Sequence, residues 1–134
     1  MAALTENIAY ETRRIGKVVY PVAANVRIFK GSLLTIAGGF AKPGAPEAGA
    51  VFGGVASEPA DNSGGAGGDT TVEGLTDLQF LAEGSGFTQA SVGLDAYVAD
   101  SGSVKTTAGT NAVYCGRVVQ FVSTTQVWVD PRLP

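Results

Sequence analysis

"AVYCGRVVQFV", residues 112–122, is followed by Ser123-Thr124-Thr125 and then by "QVWVD", residues 126–130, and this stretch decides the fold. β-branched and aromatic residues fill both runs, and a short polar link joins them, which predicts a β-hairpin. Side chains on a strand alternate between its two faces, so Val127 and Val129 share one face and Trp128 takes the other. If the valines face a core, Trp128 faces outward. Tryptophan and tyrosine are enriched where proteins meet partners. Trp128, and Tyr97 with it, is therefore either a core-edge residue or an aromatic that a partner covers.

The same signals recur outward from this hairpin. "AYVAD" (96–100) and "VKTTA" (104–108) flank a turn at Ser101-Gly102-Ser103 and predict a second hairpin. "FTQASVGLD" (87–95) is the one segment with room for a helical turn. "TTVEGLTDLQFLA" (70–82) alternates over its second half, with Leu75, Asp77, Gln79 and Leu81 set against Thr76, Leu78 and Phe80. "AVFGGVA" (50–56) reads as a short strand in which Gly53 and Gly54 mark a bulge or close backbone packing. "FAKPGAPEAG" (40–49) reads as loop from its prolines and glycines. "NVRIFKGSLLTIA" (25–37) reads as two short strands about a Lys30-Gly31-Ser32 turn, and "IGKVVYPV" (15–22) as a strand ending at a proline. Residues 1–14 show no periodicity and form an amino-terminal arm; residues 15–134 form one β domain. Short strands with frequent turns predict an all-β fold, a small sandwich or barrel with long glycine-rich loops.

Composition bounds the function. A chain of 134 residues suits one domain with a real core. Charged residues make up 16% against about 25% in an average globular chain, which suggests a surface partly covered by sister subunits or a larger assembly. The net charge of −3 argues against nucleic-acid binding. The local cluster Arg13, Arg14 and Lys17 lies beside Glu6 and Glu11 and reads as a solvated face. No apolar run reaches the ~20 residues of a membrane helix, and the opening "MAALTENIAYETRR" lacks a signal-peptide pattern, so a soluble protein without a standard secretion signal is expected. The lone Cys115 excludes an internal disulfide and reads as a small buried hydrophobe.

The residues offer little chemistry. The chain has no histidine, which removes Ser-His-Asp and Cys-His arrangements and H-E-x-x-H zinc sites. Its carboxylates, Glu58, Asp61, Asp69, Glu73, Asp77 and Glu83 among them, fall in or beside polar, glycine-rich stretches and read as solvating groups. "DNSGGAGGD" (61–69) raises a phosphate cradle or a metal loop. A P-loop needs a lysine where Asp69 stands, and the Rossmann spacing counted from Gly65 ends on Thr70. The calcium nonapeptide fits Gly64, Gly65, Gly67 and Asp69, but its large apolar position falls on Thr71 and the chain holds one copy. The segment reads as a mobile connector. No enzyme activity, metal or cofactor is expected.

Taken in order over nearly the whole chain, several stretches resemble the capsid cement, or head decoration, proteins of tailed bacteriophages. They are the opening "MAALTEN", then "YPVAANVRIFKGSLLTIAGGFAKPGAP", "AGAVFGGVASEPADNSGGAGGD", "TQASVGLDAYVADSGSVKT" and "YCGRVVQFVSTTQVWVD". The resemblance implies a β-tulip-like domain with an extended arm. It implies a structural virion protein, made in the bacterial cytoplasm, that binds the outer surface of the major capsid protein shell at capsomer junctions. There it would act as a homo-oligomer, a trimer or in some cases a dimer, with no direct contact to nucleic acid or membrane. The arm residues Leu4, Ile8, Tyr10, Arg13 and Arg14 become candidate shell contacts, and Trp128 a candidate interface aromatic. Two other readings stay open. One is a tail or fibre module binding a host surface, which would favour aromatic-rich loops. The other is a small trimeric β enzyme acting on nucleotides, for which only Arg117 is suitably placed.

Overall fold

The computed structural model describes Glu6 and residues 16–131. These form twelve short strands: β1 (Lys17–Pro21), β2 (Arg27–Ile28), β3 (Leu33–Ala37), β4 (Phe40–Pro43), β5 (Val51–Ala56), β6 (Ala60–Asp61), β7 (Thr71–Leu75), β8 (Phe80–Glu83), β9 (Asp95–Asp100), β10 (Ser103–Lys105), β11 (Tyr114–Ser123) and β12 (Gln126–Asp130). A 3₁₀ turn at Gln89–Ser91 is the one helical element among the described residues, within the segment expected to hold one. The first sheet runs β1-β7-β5-β3-β4, the second β10-β9-β11-β12-β8, and β2 pairs with β6 as a two-stranded ribbon. The fold is all-β, a small sandwich, and neither sheet closes into a barrel.

The two hairpins expected from sequence are present, β9–β10 and β11–β12. Val127 and Val129 are fully buried, and they pack with Val118, Val98, Ala96 and Cys115 of the same sheet. Leu33, Phe52 and Val55 of the first sheet close this core from the other side. Each fully buried valine or leucine contributes about 1.5–3 kcal/mol over its exposed state. A second core holds Leu34, Ala56 and Val72 of the first sheet against Ile28 and Ala60 of the ribbon, with Val22 and Ala41. Leu33 and Leu34 are neighbours in sequence, so the strand pleat sends one into each core. The first sheet is thus the middle layer, which explains why Ser32, Leu33, Leu34 and Thr35 are buried in succession.

Two features stitch the layers. The Leu33 N–H donates to the Ser101 carbonyl at 2.9 Å, tying β3 to the β9–β10 turn, and the Leu33 carbonyl accepts from Gly44 N–H, just past β4, at 2.8 Å. Val22 bridges Ala41, and Ala23 N–H donates to the Ala41 carbonyl at 3.0 Å, so the edge strands of the first sheet meet at one point. The predicted bulge in β5 is real: the register with β3 shifts between Leu34 opposite Gly54 and Thr35 opposite Phe52, leaving Gly53 as the extra residue. Gly54 takes a φ of +101°, which glycine adopts without strain.

Two expectations change. Residues 40–49 are not all loop, because β4 occupies Phe40–Pro43 as an edge strand, where a proline costs no ladder bond. The two strands expected around Lys30-Gly31-Ser32 are present as β2 and β3, and they take separate partners: β2 joins β6, and β3 joins β4 and β5. The alternation over residues 75–81 does not belong to one strand. It spans the crossing from β7 in the first sheet to β8 in the second.

Candidate interaction surface

Of the candidate contact residues, Leu4, Ile8, Tyr10, Arg13 and Arg14 lie outside the described residues. Trp128 is placed as its phase required. It stands on the outward face of the second sheet, half-buried, with Gln120 opposite it on β11 and Leu81 opposite it on β8. Leu81 is 42% exposed, so the row presents apolar surface beside the indole. Further along the same sheet, Tyr97 and Tyr114 face each other across β9 and β11 with their rings edge-on, centroids 6.2 Å apart. Burial raises the Tyr114 phenol above its ordinary value, and the Asp95 carboxylate adds to the rise, against an opposing pull from Arg117. Arg117 is opposite Asp95 in the strand register.

The glycine-rich segment has a definite construction. Asn62 is buried, and its amide nitrogen donates to the carbonyls of Ala23 and Ala66 at 2.9 Å and of Val22 at 3.3 Å. Asp61 accepts from Ser63 N–H at 2.9 Å, and Asp69 accepts from Ala66 N–H at 3.0 Å. Asn25 accepts from Gly64 N–H at 2.9 Å. Both aspartates thus spend a carboxylate oxygen on the loop's own backbone, and the side chain that anchors the loop is an asparagine. The Ser63 side chain and backbone both hold the Asp61 carboxyl below the usual carboxylate range. The segment is a fastened connector, tied through Asn62 to the end of β1. Among the described residues no group of three or more His, Cys, Asp or Glu side chains could hold a metal ion.

Two further surfaces were not legible in the sequence. At the β2–β3 turn Phe29 is 61% exposed, with the Arg27 guanidinium over its ring at 5.0 Å. At the end of the sandwich where the sheets part, a groove of about 460 Å³ is lined by Ala50, Val51, Phe52, Thr76, Tyr114, Cys115 and Pro131. Val51, at the start of β5, is 61% exposed. Both ends of the domain come to this place. Gly16, the first residue before β1, accepts a hydrogen bond through its carbonyl from Thr76 N–H at 2.8 Å, and Pro131 is itself part of the groove wall. Cys115 is buried as expected, and burial pushes its thiol up to about 12.

No protein-family model, curated protein or solved structure matches this chain.

Proposed function

We propose that this chain is a structural virion protein that binds the outer surface of a tailed-phage major capsid shell at capsomer junctions and secures the head against internal DNA pressure. It works by contact, as a homo-oligomer, preferably a trimer, without catalysis, cofactor or direct hold on nucleic acid. The reading draws on the resemblance carried by the sequence and on the low charge of the chain.

One structural observation carries it furthest. The arm joins the domain at Gly16, beside an end of the sandwich where a groove lies open and Val51 is exposed. An arm rooted there can lie along a neighbouring protein while the domain end rests against the same neighbour. Main-chain pairing of an extended segment with an exposed sheet edge gives affinity without a deep pocket. A protein that binds only the assembled shell stabilises it by mass action, and many copies add through multivalency. Trp128 and Leu81, on the outward face of the second sheet, suit contact between sister subunits.

The test is co-sedimentation of the purified protein with empty expanded heads of the parent phage, beside unexpanded heads. Saturable binding to expanded heads supports the reading, as does a rise in their heat resistance. Absence of binding at saturating protein overturns it.

A further inference from the structure

Ile28 is fully buried, so the strand pleat turns its neighbour Phe29 outward, and Phe29 is 61% exposed. The ring is nevertheless held. The Arg27 guanidinium lies over it at 5.0 Å, and the Phe29 carbonyl accepts from Ser32 N–H at 3.1 Å, closing the turn on which it stands. Lys30, next along, is exposed as well. Asp61 lies opposite Arg27 on β6. Phe29 is thus a fixed apolar knob with a cation on each side, and aromatic rings and arginine are enriched at the centres of interfaces.

A notch of matching size opens at the foot of the same turn. Gly31, two residues after Phe29, belongs to the wall of a cavity of about 210 Å³ between β8 and β10. These strands are the two ends of the second sheet, and the sheet curls until they touch. A Cβ added to Gly84, just past β8, would lie 2.6 Å from the Val104 carbonyl oxygen of β10. Beside this contact Leu33, Val55, Phe80 and Val104 give the cavity an apolar wall, and Glu83 is the charged residue on it. An apolar cavity of roughly 150 Å³ takes up benzene, so the notch has room for a phenyl ring.

We propose that Phe29 of one copy of this chain inserts into the β8–β10 notch of another, bringing Arg27 against the receiving copy's Glu83. Shape and charge both match, apolar ring to apolar wall and cation to carboxylate. Leu81 lines the notch and lies opposite Trp128 in the strand register, so the contact runs on into the exposed face of the second sheet. Every copy carries both knob and notch, so the contact repeats into a closed pair or ring. The inference rests on the homo-oligomer part of the function proposed above. It is read without heads, so failure of head attachment leaves it standing.

Sedimentation equilibrium of the purified full-length protein tests it. Phe29 is exposed, so Phe29→Ala leaves the domain's own core untouched. This variant should raise the dissociation constant of self-association at least tenfold. Val19→Ala, at an equally exposed site on β1, should leave it near the parent value. A parent protein that stays monomeric at about millimolar concentration overturns the proposal. Phe29→Ala protein that associates as tightly as the parent overturns it too.

Charge reversal tests the seat. Arg27→Glu and Glu83→Arg should each weaken association, and the two together in one chain should restore most of it. A double variant no tighter than either single one takes the knob out of this notch.

Discussion

Gly74 of β7 and Gly53 of β5 stand so close that a Cβ added to Gly74 would lie 2.3 Å from the Gly53 carbonyl oxygen and 2.9 Å from the Tyr20 ring. The glycine at 74 therefore sets the approach of two strands in the middle layer, with the Tyr20 ring lying over them. Gly74→Ala must push backbone against backbone, and such overpacking costs about 1–3 kcal/mol. Gly102→Ala is the control, since the nearest atom to its added Cβ is an Asp100 carboxylate oxygen at 3.7 Å. Urea denaturation should show a clear loss for the first and much less for the second. Equal midpoints would mean that the β5–β7 approach relaxes freely.

Asn62 is predicted to be the anchor of the glycine-rich loop. Asn62→Ala leaves the carbonyls of Val22, Ala23 and Ala66 without their shared donor. Losing a buried partner costs about 1–3 kcal/mol. Hydrogen exchange should quicken at Gly65 and Gly68 N–H, whose acceptors are the carbonyls of Asn62 and Val22. Unchanged exchange there would show that the loop holds without its asparagine.

How far the sequence was legible depends on sequence distance. The hairpins at 96–108 and 112–130 could be read because each joins neighbouring runs through a short polar turn. β4 could not, because Pro43 and the glycines beside it imitate a loop, and only its place at a sheet edge makes the proline harmless. Strand pattern also reports faces without reporting sheets. Leu75 and Leu81 fall in phase while belonging to different sheets, since the chain crosses between them at Thr76–Gln79. Trp128 was legible as outward-facing because its valine neighbours fixed the phase. The groove was not, because its wall comes from four separated segments.

Stability should fall at alkaline pH. The unfolded thiol ionises near its ordinary 9.0, while the folded Cys115 keeps its proton to about 12. Between those values the folded state binds more protons, so its advantage, fully present below 9, is lost as pH rises, by up to about 1.4 kcal/mol per pH unit. Tyr20 and Tyr114, both raised chiefly by burial, add to the fall above 10.0. Denaturation midpoints at several pH values should decline less steeply for Cys115→Ala than for the parent protein. Parallel declines would remove the thiol as the cause.

The chain's single tryptophan reports its own surface. Trp128 is half-buried beside exposed Leu81, so its emission should shift to the blue when sister subunits or the shell cover that face. Trp128→Phe should weaken self-association while leaving the isolated fold stable to within about 1.5 kcal/mol. An emission maximum that stays fixed across protein concentration and on addition of heads would remove this face from the interface.

The arm is predicted to matter for binding and not for folding. Deleting residues 2–12 should leave the thermal unfolding of the domain almost unchanged and greatly weaken attachment to expanded heads. A truncated protein that decorates heads at full occupancy would take the arm out of the account.

The most direct measurement is an electron cryo-microscopy map of empty expanded heads of the parent phage, incubated with the full-length protein. The account predicts added density on the outer surface at capsomer junctions, fitted by the two-sheet domain with its Gly16 and Val51 end towards the shell. Heads that stay bare at saturating protein, or protein density confined to the tail, would contradict it.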